Sequence, residues 1–303
     1  MSNYNPTWEH QVQNVKGKVR IIDYCGKVFK MLGTKSATKK ALQDDRILLN
    51  GRTAYSSDYI VDGDMITLKG TGVRRIRKLD LELDIIYDDD YLVIVNKPGG
   101  IAVNGNRHST VENAIIGQAK PSNSDDALPR PVAAHRLDVP TKGLLLFGKT
   151  KTTLSALSKA FQDKEIKKEY QAVVHGKTEK SGIMESPIDD KSATTKYFTL
   201  ETSPSRVYGN LSLVKLVPIT GRTHQLRIHL KKAGYLIVGD KLYAGEQKTL
   251  LGKGVYLCST RLKFTHPITK KKMDFKLDTP SKFLKLMKRE ASRFNNISVD
   301  KKI

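Results

Sequence analysis

An uninterrupted apolar run at residues 144–147 (Leu-Leu-Leu-Phe) constrains the fold most strongly, because it predicts a strand buried in a core. Asp138 precedes this run, between the short apolar segment 131–134 and the segment 140–143 (Pro-Thr-Lys-Gly). The pattern predicts a loop that carries a carboxylate and leads into a core strand. Such a carboxylate is costly to keep ionised unless a cation holds it, and proteins retain it mainly at functional sites. The alternative interpretation is a turn or N-cap aspartate, with Arg136 as a surface arginine.

The charge balance indicates the class of partner. The chain has 53 Lys and Arg residues against 31 Asp and Glu, a formal net charge of +22 at pH 7, and this excess favours phosphate backbones or anionic membranes. No segment approaches the ~18 consecutive apolar residues of a membrane-spanning helix, and residues 1–10 contain no apolar signal-peptide core. Cys25 and Cys258 lack ligand spacing and are expected to be reduced. We therefore expect a cytoplasmic protein, not bound to a membrane, that acts on a polyanion.

Turn and strand signals predict two folded units. The predicted segments are a loosely ordered polar tail at 1–15, a small unit at 16–70, a basic linker at 71–80, a larger unit at 81–285 and a basic tail at 286–303 that frays. In the small unit, a basic helix with Ser36 as N-cap carries Lys39 and Lys40, and Asn50-Gly51 predicts a hairpin turn. In the larger unit, the acidic run 88–90 predicts a solvated turn between two strands rather than a metal site.

Two apparent ligand signatures fail on physical grounds. Residues 143–150 (Gly-Leu-Leu-Leu-Phe-Gly-Lys-Thr) match the letters of a nucleotide-binding phosphate loop. Such a loop needs free backbone N–H groups, whereas those of a buried strand are bonded to neighbouring strands. None of the seven histidines forms a ligand pair with a cysteine or has the spacing of a zinc helix. The sequence therefore predicts no nucleotide cofactor and no metal.

A helix predicted over residues 222–232 contains a second group of candidate residues. Leu226 and Leu230 belong to its apolar stripe, whereas His224 and Arg227 fall on a different face. An arginine that borders an apolar stripe can reach a buried carboxylate through two parallel hydrogen bonds. The alternative interpretation is an amphipathic helix whose basic face contacts solvent.

Four segments, taken together and in order, carry a family resemblance. They are 96–98 (Asn-Lys-Pro), 135–143 (His-Arg-Leu-Asp-Val-Pro-Thr-Lys-Gly), 167–170 (Lys-Lys-Glu-Tyr), and 221–229 (Gly-Arg-Thr-His-Gln-Leu-Arg-Ile-His) followed by Gly239-Asp240 and Tyr243. They resemble the RluA-type family of RNA pseudouridine synthases, over about two thirds of the chain. Two departures are Lys142, where the family usually has serine, and Asn104-Gly105, where a His-Pro pair is common. The small unit is similar to S-four-type RNA-binding domains, judged by 36–42, Asn50-Gly51 and Gly63-Asp64.

The resemblance implies an isomerase that needs no cofactor. In this family the bond between N1 of uracil and C1′ breaks, the base turns and C5 bonds to C1′, after the base has been flipped into a pocket. Asp138 would be the essential carboxylate, acting at C1′ either as a nucleophile or electrostatically while a glycal forms. Arg227 would pair with Asp138, and Tyr170 would stack on the uracil and serve as a general base.

The resemblance also implies an RNA-binding surface. The residues expected to bind RNA are Arg136, which would fill the gap left by the base, Lys97, Arg222 and His224 at the pocket rim, and Lys39 and Lys40 in the small unit. The expected fold is α+β: a mixed, mostly antiparallel bent sheet with flanking helices around a basic cleft, preceded by a small α/β RNA-binding domain, in a monomer. Ribosomal RNA is the favoured substrate. The alternatives are transfer RNA, a non-catalytic RNA-binding or ribosome-assembly factor, and, more remotely, a nucleotide hydrolase.

Overall fold

The chain forms two compact units, Met1–Ile76 and Arg77–Ile303. The computed structural model describes residues 7–29, 32–70, 78–105, 107–246, 249–250 and 252–300. The boundary between the units falls in the segment predicted as a linker, most of which lies outside the described residues. Within the described ranges, no helix is both long enough and apolar enough to cross a membrane.

The first unit combines helices with a small antiparallel sheet. In chain order its elements are β1 (Thr7–Gln11), β2 (Val19–Arg20), α1 (Ile21–Val28), α2 (Lys35–Gln43), β3 (Ile47–Leu49), β4 (Arg52–Thr53), β5 (Tyr59–Ile60) and β6 (Met65–Lys69). The sheet order is β1-β6-β3-β4, and β2 pairs with β5. Ile21, Leu42 and Ile66 belong to one apolar cluster, so the helices and the sheet share a core.

Two sequence predictions for the first unit are wrong. Residues 7–11 form β1, which pairs along its whole length with β6, so this part of the expected tail belongs to the sheet. Thr34, and not Ser36, is the N-cap of α2, and its hydroxyl accepts a hydrogen bond from a first-turn N–H at 3.1 Å. The predicted turn at Asn50-Gly51 is confirmed, with φ angles of 50° and 82°, the left-handed values that a tight hairpin requires.

The second unit is built on one large sheet. In chain order its elements are β7 (Asp84–Asp88), β8 (Leu92–Lys97), α3 (Val111–Ala114), β9 (Ala127–Ala133), β10 (Lys142–Thr150), α4 (Lys151–Gln162), β11 (Lys167–His175), β12 (Ser181–Met184), β13 (Thr195–Ser205), β14 (Gly209–Pro218), α5 (Gln225–Lys232), α6 (Lys241–Ala244), β15 (Leu257–Thr265), β16 (Lys272–Lys276) and α7 (Ser281–Asp300). The sheet order is β12-β13-β14-β11-β15-β10-β8-β7, with β16 beside β15 and β9 beside β10. Strands β10 and β15 pair in parallel and the other described pairs are antiparallel. The predicted α+β class, with a mixed and mostly antiparallel sheet, is confirmed.

Strand β10 is an interior strand of this sheet, and it is buried, as the apolar run predicted. Residues 143–150 are all buried, and the strand pairs with β8, β9 and β15. Its backbone N–H groups are therefore not available to cradle a phosphate. Gly143 has a φ of 109°, and a Cβ at this position would lie 2.1 Å from the carbonyl oxygen of Ser259. Glycine thus allows β10 to approach β15.

The C-terminal segment is a helix rather than a frayed tail. Helix α7 continues to residue 300, and its apolar residues Phe283, Leu286 and Met287 are buried in the core of the second unit. The hydroxyl of Ser205 at the end of β13 donates to the buried carboxylate of Glu290 at 2.9 Å. These contacts fix α7 to the sheet, so the prediction for residues 286–300 is wrong.

Candidate active site

Asp138 lies in a short loop between β9 and β10 whose backbone is fixed. The N–H of Thr141 donates to the carbonyl oxygen of Asp138 at 3.0 Å and closes a turn, and the N–H of Gly100 donates to the carbonyl oxygen of Val139 at 2.7 Å. The side chain of Asp138 is 17% exposed. The carboxylate is therefore largely withdrawn from bulk water and held by a loop with little freedom to move.

Lys97 anchors this loop from inside the protein, and the prediction that it lies at the pocket rim is wrong. Its side chain is fully buried at the end of β8, and Nζ donates to the carbonyl oxygens of Pro98, Val139 and Thr141 at 2.9, 3.1 and 2.8 Å. Burial lowers the pKa of Lys97 to about 8, against the opposing effect of the Asp138 charge. All three ammonium donors are used, so Lys97 holds the backbone beyond Asp138 and does not contact solvent.

Arg227 lies on α5 between two carboxylates. Its Nε and Nη2 atoms donate to Oδ2 and Oδ1 of Asp240, both at 2.7 Å, whereas its Nη1 atom lies 3.6 Å from Oδ2 of Asp138. The two-pronged partner is therefore Asp240, and Asp138 receives a longer ion pair. Burial opposes the charge on Arg227, but the hydrogen bonds to Asp240 and the charges of both carboxylates raise the pKa of Arg227.

Asp240 is a site residue to which the sequence analysis gave no role. It is 1% exposed and directly precedes α6. Gly239 before it has a φ of 80°, and a Cβ there would lie 2.2 Å from the carbonyl oxygen of Gly254, so this turn requires glycine. The Gly-Asp pair that follows the 221–229 block was the signal in the sequence. Its spacing from Arg227 did not reveal that the two side chains meet.

His224 reaches the other side of Asp138. Its Nε2 atom lies 3.8 Å from Oδ1 of Asp138, and its Nδ1 atom lies 2.9 Å from the hydroxyl of Tyr243 on α6. The backbone of His224 is left-handed, with a φ of 53°, immediately before α5 begins. Such a conformation is uncommon outside glycine and is often retained at functional sites. The ring of Tyr243 also lies 5.0 Å from the guanidinium of Arg227, so Tyr243 contacts both neighbours of the carboxylate, His224 and Arg227.

Tyr170 is buried on β11 and lines the same cavity as Asp138. Burial first, and then the negative charge of Asp138, raise the pKa of Tyr170 well above its ordinary value. The phenol therefore stays protonated at neutral pH. This environment favours an apolar ring surface over a phenolate that accepts protons.

These side chains open into a cavity of about 690 Å³ in the second unit. Among the described residues that line it, Asp138 is the sole carboxylate, and the cations are Arg136, Lys164, Lys167, Lys168 and Arg222. The volume falls in the range of small-ligand pockets, roughly 300–1,000 Å³. One acid surrounded by cations fits a single unit of a polyanion, such as a nucleotide within a chain.

Two polar residues of the 221–229 block anchor α5 instead of facing the cavity centre. The side-chain amide of Gln225 donates to the carbonyl oxygen of Thr194 and the hydroxyl of Thr195, both at 3.0 Å. The Nδ1 atom of His229 lies 3.0 Å from the same hydroxyl of Thr195. These bonds fix α5, and with it Arg227, to the start of β13.

The structure brings most of the predicted site residues together. Around the cavity lie Asp138, Tyr170, Arg136, Arg222 and His224, and Arg227 lies beside Asp138. Lys39 and Lys40 are exposed on α2 of the first unit. Lys142, where the family usually has serine, does not line the cavity. Its side chain lies over Gly99, where an added Cβ would lie 3.2 Å from Cγ of Lys142.

His135 is a neutral structural residue of this loop. Its Nε2 atom accepts a hydrogen bond from the N–H of Leu146 at 3.1 Å, and its ring centroid lies 4.6 Å from that of Phe161. Burial, with the added effect of the Lys168 charge, lowers the pKa of His135 to about 3. An acceptor role for Nε2 agrees with an unprotonated nitrogen at that position.

We expect His135→Gln to make folding less sensitive to acid. As the pH falls below about 6.5, the unfolded chain binds a proton at His135 and the folded chain does not, so stability is lost as the pH falls towards 3. Between about pH 6.5 and 4.5 this loss is about 2 kcal/mol, and Gln removes it while keeping an acceptor for the Leu146 N–H. Urea denaturation of both proteins at the two pH values measures the difference. An equal pH dependence would contradict the prediction.

Comparison with known proteins identifies the class to which this fold and site belong. Residues 91–232 match the RNA pseudouridylate synthase family. The chain is 36% identical over 213 residues to the dual-specificity RNA pseudouridine synthase RluA of Pasteurella multocida, covering 65% of this chain and 93% of that protein. It is 31% identical over 296 residues to the ribosomal large subunit pseudouridine synthase C of Rickettsia bellii, covering 87% and 95%. Human RNA pseudouridylate synthase domain containing 1 shares the fold, with a TM-score of 0.53 and 20% identity over 68% of this chain and 95% of that one.

The fold and the matched residues define an RNA-modifying isomerase. The chain belongs to the RluA family of RNA pseudouridine synthases. The resemblance inferred from the four segments is thereby confirmed, and so is the assignment of the protein as an enzyme that acts on RNA.

Proposed function

We propose that this enzyme forms pseudouridine in large-subunit ribosomal RNA and that Asp138 is the group that acts at C1′ of the target uridine. The observation that carries the proposal is the position of Asp138. It is the sole carboxylate among the described residues lining a cavity rich in cations, and Arg227 and His224 flank it. A carboxylate placed beside a bound ribose can attack C1′ or stabilise positive charge that develops there.

The neighbours of Asp138 have distinct parts in this reaction. Arg227, whose Nη1 atom lies 3.6 Å from Oδ2 of Asp138, places a positive charge beside the carboxylate and holds it in position. The neutral ring of Tyr170 supplies a surface on which the uracil stacks while it turns, and its raised pKa argues against a phenolate base. Arg136, exposed at the mouth of the cavity, fills with its planar guanidinium the gap that the flipped base leaves in the RNA.

The relatives support ribosomal RNA as the substrate. The synthase named for the large ribosomal subunit aligns with 87% of this chain. The second unit, residues 77–303, makes up a smaller share of the chain than that, so the alignment extends into the first unit. The dual-specificity relative aligns with only 65%. The first unit, with Lys39 and Lys40 exposed on α2, serves in this proposal as an S-four-type RNA-binding arm. Transfer RNA is the second candidate substrate, since the relative with the higher sequence identity is named for dual specificity and not for the ribosomal subunit.

The test is to incubate the purified enzyme separately with unmodified ribosomal RNA, with ribosomal subunits from a strain that lacks the gene, and with transfer RNA transcripts. Nucleoside chromatography then separates pseudouridine from uridine, which mass alone does not, because the two are isomers. We expect product in the large-subunit RNA, either free or assembled. Product in transfer RNA alone would contradict the proposed substrate, and product in none of them would contradict the proposed function.

We expect the double variant Lys39→Glu/Lys40→Glu to bind large-subunit RNA about 10-fold more weakly and with a flatter salt dependence, because phosphate contacts dominate both quantities. A minimal stem-loop that contains the target uridine should still be modified at the normal rate, since the cavity belongs to the second unit. The matched control is Lys16→Glu/Lys18→Glu, which reverses two exposed charges elsewhere in the first unit. Equal losses in the two double variants would mean that net charge, and not the α2 surface, governs binding.

A further inference from the structure

Lys168 is a cation of the cavity wall to which no role has been assigned so far. It lies on β11 two residues before Tyr170, and both side chains line the cavity, across a register shift in the pairing of β11 with β15. Its Nζ atom lies 5.7 Å from the ring centroid of Phe161 on α4. On the opposite side, a Cβ added at Gly221 would lie 3.7 Å from the same atom. Lys168 is therefore enclosed between α4 and the loop that leads to α5.

This lysine differs from the other withdrawn lysines of the second unit. Lys149 is paired with the carboxylate of Asp88 at 2.8 Å, and the three donors of Lys97 are bonded to carbonyl oxygens. Lys168 has no salt bridge and no hydrogen bond among the described residues, and its recorded contact is with an aromatic ring. Burial lowers the pKa of Lys168, in keeping with the lack of a carboxylate beside it among the described residues. A desolvated cation without a partner costs folding free energy, and proteins retain it mainly where a ligand supplies the opposite charge.

The anion cannot come from the cavity itself. Asp138 is the sole carboxylate among the described lining residues, and it is flanked by Arg227 and His224. A uridine whose C1′ meets Asp138 and whose base lies on Tyr170 carries its two backbone phosphates one ribose away from the reacting carbon. Lys168, two residues before Tyr170 on the wall of the same cavity, has the reach and the charge to meet one of them.

We propose that Lys168 binds a backbone phosphate of the flipped nucleotide and so fixes the ribose in front of Asp138. The inference rests on the proposed use of this cavity for the flipped uridine. In this proposal Lys168 is a substrate-binding residue. An RNA phosphate neutralises the charge of Lys168 when the base flips into the cavity. The binding free energy gained there offsets part of the cost of unstacking the base.

The experiment compares Lys168→Met, Lys168→Arg and wild type on a stem-loop containing the uridine that the wild-type enzyme modifies. We expect Lys168→Met to lower kcat/KM about 10-fold to 100-fold, as loss of a charge-assisted bond does. The slope of log affinity against log salt should become shallower by about 0.7–0.9, the value for one phosphate contact. Lys168→Arg should retain most of the activity. Lys168→Met should fold with an unchanged or higher Tm, because it removes an uncompensated charge.

The matched control is Lys215→Met, because Nζ of Lys215 also lies over an aromatic ring, 4.7 Å from the centroid of Phe198. Lys215 pairs in register with Gln171, the neighbour of Tyr170, and so faces the other side of the sheet. We expect this variant to match wild type in rate and to keep its salt slope at the stem-loop.

A substrate with one neutral linkage identifies the anion. A methylphosphonate placed 5′ or 3′ of the target uridine removes a single phosphate charge. The adjoining 2′-oxygen is blocked in all the RNAs that are compared. At one of the two positions, the methylphosphonate should lower wild-type activity about as much as the Lys168→Met substitution does. At that same position, the methylphosphonate should lower the activity of Lys168→Met little further. Additive losses at both positions, an unchanged salt slope, or wild-type activity of Lys168→Met would each overturn the proposal. Absence of product with the wild-type enzyme would instead contradict the proposed function.

Discussion

Replacing Asp138 by Asn abolishes isomerisation in our expectation, with a fall in kcat of at least about 10⁴-fold, the scale seen when an enzyme loses its reacting group. Asn keeps the size of the side chain but has no charge to attack C1′ or to stabilise a cation there. The affinity for RNA should stay within a few-fold of wild type, because phosphate contacts dominate binding. Single-turnover product formation measures the first quantity, and fluorescence anisotropy with labelled RNA measures the second.

The matched control for this substitution is Asp190→Asn. Asp190 is an exposed carboxylate in a turn with a φ of 57°, a left-handed conformation that Asn adopts readily. It should retain full activity. Turnover by Asp138→Asn at even a hundredth of the wild-type rate would mean that the carboxylate does not act at the reacting carbon. A loss of RNA affinity as large as the loss of rate would point to a binding role instead.

Removal of Arg227 should impair both folding and catalysis. In Arg227→Met the buried carboxylate of Asp240 loses two hydrogen bonds of 2.7 Å, and Asp138 loses its nearest guanidinium. Breaking a buried ion pair by removing one partner costs about 3–5 kcal/mol, so we expect a loss of this size in the free energy of unfolding. Activity should fall on the order of 10³-fold, because Asp138 loses the cation that holds its carboxylate in position. Urea denaturation and single-turnover kinetics measure the two effects.

A second substitution separates the structural part from the catalytic part. Arg227→Met/Asp240→Leu removes both members of the buried Arg227–Asp240 ion pair. Replacing a buried ion pair by apolar groups is often neutral or stabilising. The double variant should recover most of the stability and none of the activity. Arg227→Lys keeps the charge beside Asp138 but cannot form the two-pronged bond to Asp240, so its rate should be intermediate. Recovery of activity in the double variant would show that Arg227 serves folding alone.

Features that depend on neighbouring residues could be predicted from the sequence, and features that depend on distant segments could not. The burial of β10 and the turn at Asn50-Gly51 follow from short runs of residues, and both predictions are confirmed. The tail at 7–11 was predicted wrongly because its polarity says nothing of a pairing with β6, more than fifty residues away. Helix α7 was mistaken for a frayed tail because its many lysines hide an apolar stripe that the sheet covers.

The candidate site shows the same division at the level of single side chains. The residues around Asp138 and Arg227 could be selected from their motifs, but their partners could not. The family resemblance placed Lys97 at the pocket rim. Its position could not be predicted, because the three carbonyl oxygens that hold it inside come from a turn and a loop some forty residues apart. Asp240 was given no role, because its two hydrogen bonds with Arg227 depend on how α5 packs against the turn before α6.

By itself, the sequence determined the reaction class of this enzyme, because the residue types that isomerise uridine stand in short ordered segments and need only their identity to be recognised. It also determined the polyanionic partner, because net charge is a sum over residues and does not depend on their arrangement. Only the tertiary structure decided which cations are bonded within the protein and which line the cavity without a carboxylate partner. Burial and hydrogen-bond geometry come from distant strands and helices, so Lys97 and Lys168, alike in sequence, differ in the partners that folding gives them.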